Sequence, residues 1–383
     1  MKNKLNLILL LFFIFVIYLI SSGGDTPYNY FILLAKEFLN GRYYLVDNPP
    51  WLNELIPLSN GFWGVVYPPT PAVILMPFVY FFGINFPQNY ISYLLGALLA
   101  LITAKIVYLK TNSIEKFYFT LLLTAFGTII WYLSSNGSVW YLGQISGAFF
   151  LTATIYESLT KRRPLLVSLF FALAVFSRLQ LVLSIPLILF LNWKGISLKK
   201  AFFYLIPFGL LSLLFIFYNY VRFGSLFETG YSLIPGVLDE PWYSKGIFHF
   251  SYIKNNLQTM FLSIPIFTNS FPYFKPSWGG LSILFTTPVF LYLFFTNIKS
   301  RENIVTIISI ILIATINLSH GGTGFTQFGY RYAVDFYPLL FLLFANYLTQ
   351  NDLRWYHYLL LIFSIIVNLW GVVWISKYNW VSF

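Results

Sequence analysis

"LNLILLLFFIFVIYLI", residues 5–20, runs almost directly into "SGGDTPYNYF", residues 22–31. The first stretch carries no charge and no two-residue alternation. Only helices and closed barrels satisfy their backbone hydrogen bonds in lipid, and a barrel strand would alternate, so this run predicts a spanning helix. It is longer than a secretory h-region and lacks an A-x-A-like site, so it is expected to remain as an anchor. Lys2 and Lys4 would hold its start in the cytoplasm. The second stretch brings Asp25, the first acid of the chain, to the point where that helix surfaces. Thr26 then reads as a helix N-cap, Pro27 as the first helical residue and Gly41 as the stop. Phe31, Leu34, Ala35 and Phe38 would form the apolar face of a helix lying on the outer membrane surface. Asp25 either complements the positive end of that helix or carries chemistry.

Composition extends the first reading to the whole chain. Of 383 residues, 58% are hydrophobic and 9% charged, against about 25% charged in a soluble domain. The expected fold class is all-α, a polytopic transmembrane protein, with residues 1–383 forming a single membrane domain. There is no cysteine, so disulfides and thiolate chemistry are excluded. The three histidines, at 249, 320 and 357, have no metal-ligand spacing. The net charge of +11 is expected to mark cytoplasmic loops rather than a nucleic-acid partner.

Basic loops set the path through the membrane. "KRR" (161–163), "WKGISLKK" (193–200), "NIKSR" (297–301) and the Lys110–Lys116 turn belong inside. Crossings then fall at about 5–22, 89–109, 117–133, 140–159, 165–178, 179–192, 201–221, 279–297, 303–318, 332–348 and 356–375, about eleven in all, with the C-terminus outside. Prolines 68, 69, 71 and 77 argue against a simple span in "PPTPAVILMPFVYFFG" (68–83). That segment is expected as a broken or re-entrant element of a long first outer loop, 23–88. The halves 165–178 and 179–192 span only about 21 Å each and predict a hairpin with Arg178 at its buried tip. A second long outer section, 222–278, holds an apolar stripe at 250, 253, 257, 260, 261 and 264, which predicts an interfacial helix.

Ionisable groups are scarce in the predicted spans, which argues against a proton- or ion-coupled transporter. They gather instead on the outer side. Asp25, Glu37, Asp47 and Glu54 lie in the first loop, and Arg178, Arg222 and Arg331 in later outer turns. Acids from one loop facing arginines from several predict a site for a phosphate-bearing substrate and a nucleophile. Each arginine has a plainer reading. Arg178 could pair with an outer acid, Arg331 with Asp335 one turn on, and Arg222 could simply end its helix. His320 has no derived role, and "GGTGF" (321–325) reads as a flexible outer turn.

"GGDTPYNYFILLAKEFLNGRYY", "VYPPTPAVILMPF", "YNYVRFGSLFETGY" (218–231) and "FGYRYAVDFYPLL" (328–340), in that order, resemble the polyprenyl-phosphate-sugar-dependent glycosyltransferases of the GT-C superfamily. That group includes protein O-mannosyltransferases and lipid A aminoarabinose transferases. The resemblance implies a membrane enzyme with an extracytoplasmic site, taking a sugar from a polyprenyl-phosphate donor to a protein, lipid or glycan acceptor. It implies Asp25 as the catalytic acid–base residue, and Arg178, Arg331 and, more weakly, Arg222 as lipid-phosphate ligands. Where many relatives carry a second adjacent acid this chain has Thr26, so Asp47 or Glu54 would have to supply one. No tightly bound cofactor or metal is expected, and divalent-metal dependence is open. A single carboxylate suffices where the leaving group departs as an anion, whereas a glycosidase needs two. The alternatives are a lipid-linked-sugar flippase, and a polysaccharide ligase or polymerase using lipid-diphosphate donors.

Overall fold

The computed structural model describes residues 4–193, 197–271, 273–277, 279–324 and 327–378. Lys2, Lys194 and Phe325, all named above, lie outside the described residues. The chain is a multi-pass helical bundle. In order, the helices are α1 Lys4–Ser21, α2 Tyr30–Leu39, α3 Thr70–Phe82, α4 Asn89–Thr111, α5 Ile114–Phe126, α6 Ile130–Asn136, α7 Val139–Leu159, α8 Pro164–Val175, α9 Ile185–Asn192, α10 Leu198–Phe223, α11 Ile253–Leu262, α12 Ile283–Thr286, α13 Arg301–Leu318, α14 Tyr337–Gln350 and α15 Trp355–Val372.

Helical structure occupies each of the eleven expected crossings, but not as eleven long rods. Among the described residues six helices are long and apolar enough to cross a bilayer, or seven if α5 and α6, bent by 51°, count as one span. The others are built from pieces. The hairpin at 165–192 is α8, a 3-10 turn Leu179–Ser184 and α9, with Pro186 opening α9. The crossing at 279–297 is α12 followed by a 3-10 stretch Pro288–Phe295. Proline and poorly aligned backbone bonds shorten these helices, and packing on neighbours takes over what lipid would otherwise demand of a full span.

α4 is the hub and packs against α1, α5, α6, α7 and α14. Its small residues Ala97, Ala100 and Ala104 are fully buried, which lets the neighbouring backbones approach. α10 has almost no buried residues, and Leu205, Leu210, Leu213 and Leu214 face outwards as a lipid-facing surface would. Ion pairs Lys110–Glu302 (2.7 Å) and Lys116–Asp352 (3.1 Å) tie the α4–α5 turn to the start of α13 and the end of α14. All four residues belong to connections whose basic character predicts the inner face.

The opposite end is roofed. The segment expected as broken or re-entrant is α3, one unbroken helix that carries Pro77 inside it and lies along α2 and against α7. A short hairpin, β1 Leu55–Pro57 with β2 Trp63–Val65, follows α2. Ile56, Leu58 and Val66 from this first loop pack with Ile234, Val237 and Tyr243 as a small second core, joining the two long outer sections. The predicted interfacial helix is α11. It buries Asn256 and Met260 and exposes Leu257 and Phe261, with Phe250 exposed on the 3-10 turn Phe250–Tyr252 that leads into it.

Helix α2 begins later than the sequence predicts. Asn29, not Thr26, precedes its first residue. The Thr26 hydroxyl accepts the Tyr28 amide at 3.2 Å, which makes a tight local turn instead of a cap. Gly41, at φ +73°, does follow the helix end.

Candidate active site

The loop 22–29 is tied to the bundle on both sides of Asp25, at Ser22, Gly24 and Tyr28. Asn89 Nδ2 donates to the Gly24 carbonyl at 2.6 Å, and Gln88 Nε2 to the Tyr28 carbonyl at 3.3 Å. The Val139 amide donates to the same Tyr28 carbonyl. Lys377, at the end of the π-helical turn Val373–Lys377 that follows α15, donates to the Ser22 carbonyl. A methyl group at Gly23 would collide with the Ser376 carbonyl, so only glycine fits between these strands of chain. These contacts hold Asp25, exposed, at a cavity of about 620 Å³, a size in the range of small-molecule sites.

The cavity walls come from far apart in sequence. Asp25, Tyr28 and Glu54 come from the first loop, and Trp140 and Tyr141 from the start of α7. Tyr231, Glu240 and Tyr243 come from the second outer section, His320 from the α13 exit, Arg331 and Tyr332 from a 3-10 turn, and Lys377 from the π-helical turn after α15. Every one of these residues lies in or beside a connection that the basic loops assign to the outer face.

Arg331 is the electrostatic centre. It is 7% exposed. Its Nε has no hydrogen-bond partner, and no acid pairs with its guanidinium among the described residues. The guanidinium lies 4.9 Å from the Tyr332 ring centroid and 5.6 Å from that of Tyr141. An arginine cannot shed its charge, and ring quadrupoles offset only part of the cost of burying it. The site is therefore poised for an anion.

Glu54 is half-buried, and its Oε2 accepts the Trp140 Nε1–H at 3.1 Å. Burial pushes its carboxyl up to about 7, against the opposing pull of Trp140 and Arg331. His320 is held neutral. Its Nδ1 donates to the Gly322 carbonyl at 2.9 Å, leaving Nε2 to accept the Tyr243 hydroxyl at 3.2 Å, and burial pushes its pKa down to about 4.

The other predicted site residues go elsewhere. Arg178 is at the hairpin tip as expected but does not line the cavity. It makes a two-pronged pair with fully buried Asp335, Nε to Oδ1 at 3.2 Å and Nη2 to Oδ2 at 3.0 Å. Gln180 (2.7 Å) and Asn317 (2.9 Å) complete the shell around Asp335, so the charge of Arg178 is already neutralised. Arg222 is a packing residue, not a cavity residue. It donates to the Val65 carbonyl at 2.6 Å and to Asn219 at 2.8 Å, with its guanidinium over Tyr218. Asp47 is exposed on the first loop, outside the cavity lining. Glu37 is buried against Arg42.

Sequence reading missed Glu240, Trp140 and Lys377. Trp140 and Glu240 stand in no recognisable pattern. Lys377 carried a signal, as a cation closing the last apolar run. Among the described residues no three His, Asp or Glu side chains come together as a metal site.

No protein-family model matches the chain, and no curated protein matches it by sequence. Solved structures do match. One is ArnT from Cupriavidus metallidurans, bound to undecaprenyl phosphate, with a TM-score of 0.54 and 12% identity, over 91% of this chain and 60% of that one. Another is the Archaeoglobus fulgidus oligosaccharyltransferase in its apo form, with a TM-score of 0.54 and 12% identity, over 98% of this chain and 56% of that one. The chain thus spans a little over half the length of either protein and shares their multi-pass helical fold.

Proposed function

We propose that this chain is a membrane glycosyltransferase that takes a sugar from a polyprenyl-phosphate carrier and passes it to an acceptor on the extracytoplasmic face. The observation that carries the reading is Arg331, a buried cation without an acid on the wall of a cavity that Asp25 also lines. A lipid phosphate supplies the missing anion, and ArnT, which shares the fold, was solved with such a lipid. The planar guanidinium suits phosphate oxygens.

Chemically, the acceptor's nucleophilic atom forms a bond to the anomeric carbon as the bond from that carbon to the phosphate oxygen breaks. The polyprenyl phosphate leaves with the electron pair, stabilised by Arg331, and Asp25 takes the acceptor's proton. Attack opposite the leaving group inverts the anomeric centre. Because the leaving group is already an anion, no general acid is required. Glu54 is then not needed as a proton donor. Arg178 acts through Asp335 to hold the turn that presents Arg331.

The test is sugar transfer from polyprenyl-phosphate donors by the purified protein and its Arg331→Ala variant. Removing a charge-assisted contact is expected to lower kcat/KM about 10- to 100-fold, chiefly through a higher donor KM. Unchanged kcat/KM in a folded variant would refute the phosphate assignment.

A further inference from the structure

The cavity has an apolar wall that the phosphate and proton chemistry leave unexplained. Tyr28 and Trp140 meet there with ring centroids 4.7 Å apart, and both are half-buried in the cavity lining. Both are fixed. The Tyr28 carbonyl is held by Gln88 and by the amide of Val139, the residue next to Trp140. The indole N–H is satisfied by Glu54 at 3.1 Å. Tyr28 follows Asp25 by three residues, and Trp140 precedes Tyr141, whose ring faces Arg331 at 5.6 Å. The pair thus connects the wall bearing the acid to the wall bearing the cation.

An aromatic ring face carries negative potential. The C–H groups of a sugar ring are polarised by its oxygens and present a weakly positive, apolar face, while its hydroxyls seek acceptors such as a carboxylate. A rigid aromatic surface matches that face, and the Glu54 carboxylate, engaged by the indole N–H, fixes the surface in place. We propose that Tyr28 and Trp140 form the subsite that holds the donor's sugar ring, with Glu54 as the residue that positions the indole. The inference rests on the donor reading above. It gives Glu54 a role other than second acid.

The test is equilibrium binding to the purified full chain of polyprenyl phosphate, bare or carrying glucose, mannose or galactose. Wild type is expected to bind at least one sugar-bearing lipid more tightly than the bare one. Trp140→Ala should remove that increment, about tenfold, and leave bare-lipid binding unchanged, which also reports that the variant is folded. Glu54→Leu should have the same effect, and Glu54→Gln, which keeps an acceptor oxygen, should restore most of it. The combined Trp140→Ala and Glu54→Leu variant should be no weaker than Trp140→Ala alone. Retention of the sugar increment in Trp140→Ala would overturn the subsite, as would equal weakening of bare and sugar-bearing lipids in both Trp140→Ala and Glu54→Leu. If wild type binds the bare lipid but gains nothing from any sugar, the subsite fails and the phosphate reading stands. If it binds neither lipid, the donor reading itself fails.

Discussion

Arg178 and Arg331 are alike in sequence, each an arginine in an outer turn, and the fold gives them opposite fates. By helical spacing Asp335 belongs to Arg331, four residues before it. Residues 331–336 wind as a 3-10 helix, however. At three residues per turn the fourth residue on lies about 120° round the axis. Asp335 therefore turns away from Arg331 and is taken by Arg178, Gln180 and Asn317. That turn was not legible from the i, i+4 rule, and it decides which arginine is left for an anion. Glu54 gives a prediction at the same scale. Its carboxyl ionises at about 7 when folded, against 4.5 ordinarily, so between those values the native state holds a proton that the unfolded chain has lost. Stability should fall as pH rises from 4.5 to about 7 and level off above. In Glu54→Gln this component should vanish, as read from thermal unfolding midpoints across that pH range.

At the scale of elements, the loop between α1 and α2 is the part that sequence misread. The signals at Thr26 and Pro27 are real helix-start chemistry, but the backbone on either side, at Gly24 and Tyr28, is claimed by Gln88, Asn89 and Val139 at the starts of α4 and α7. Tertiary partners outweigh local preference, which is worth only about 1 kcal/mol at a cap. The result is a fixed loop that presents Asp25, and this bears on how the acid is held. Gly23→Ala, two residues from Asp25, pushes a methyl group into the Ser376 carbonyl. We expect transfer to fall at least tenfold with the protein still folded, because misplacing a reacting group by about 1 Å costs on the order of 10²-fold. Size-exclusion and unfolding profiles like those of wild type, measured beside the transfer assay, check that the loss is local.

At the scale of the molecule, long apolar runs made the multi-pass helical class readable. Length and hydropathy are summed over many residues and tolerate local error. The ion pairs Lys110–Glu302 and Lys116–Asp352 gather at one end, and the cavity residues come from the alternate connections. The cavity's membership was less readable, because Trp140, Glu240 and Lys377 meet Asp25 only through packing across the bundle. The lack of cysteine makes the orientation directly testable. Asn48→Cys and Lys161→Cys, both at exposed positions, should react oppositely with a membrane-impermeant maleimide. Asn48→Cys is expected to label in intact cells, and Lys161→Cys only after the membrane is opened.

The central claim is that Asp25 and the lipid-phosphate cation serve one transfer reaction in one cavity. The most direct test compares wild type with Asp25→Asn for both donor binding and sugar transfer. Removing the base should lower kcat by about 10²- to 10⁴-fold while the polyprenyl-phosphate donor still binds with wild-type affinity. Transfer at the wild-type rate by a folded Asp25→Asn protein would contradict the account.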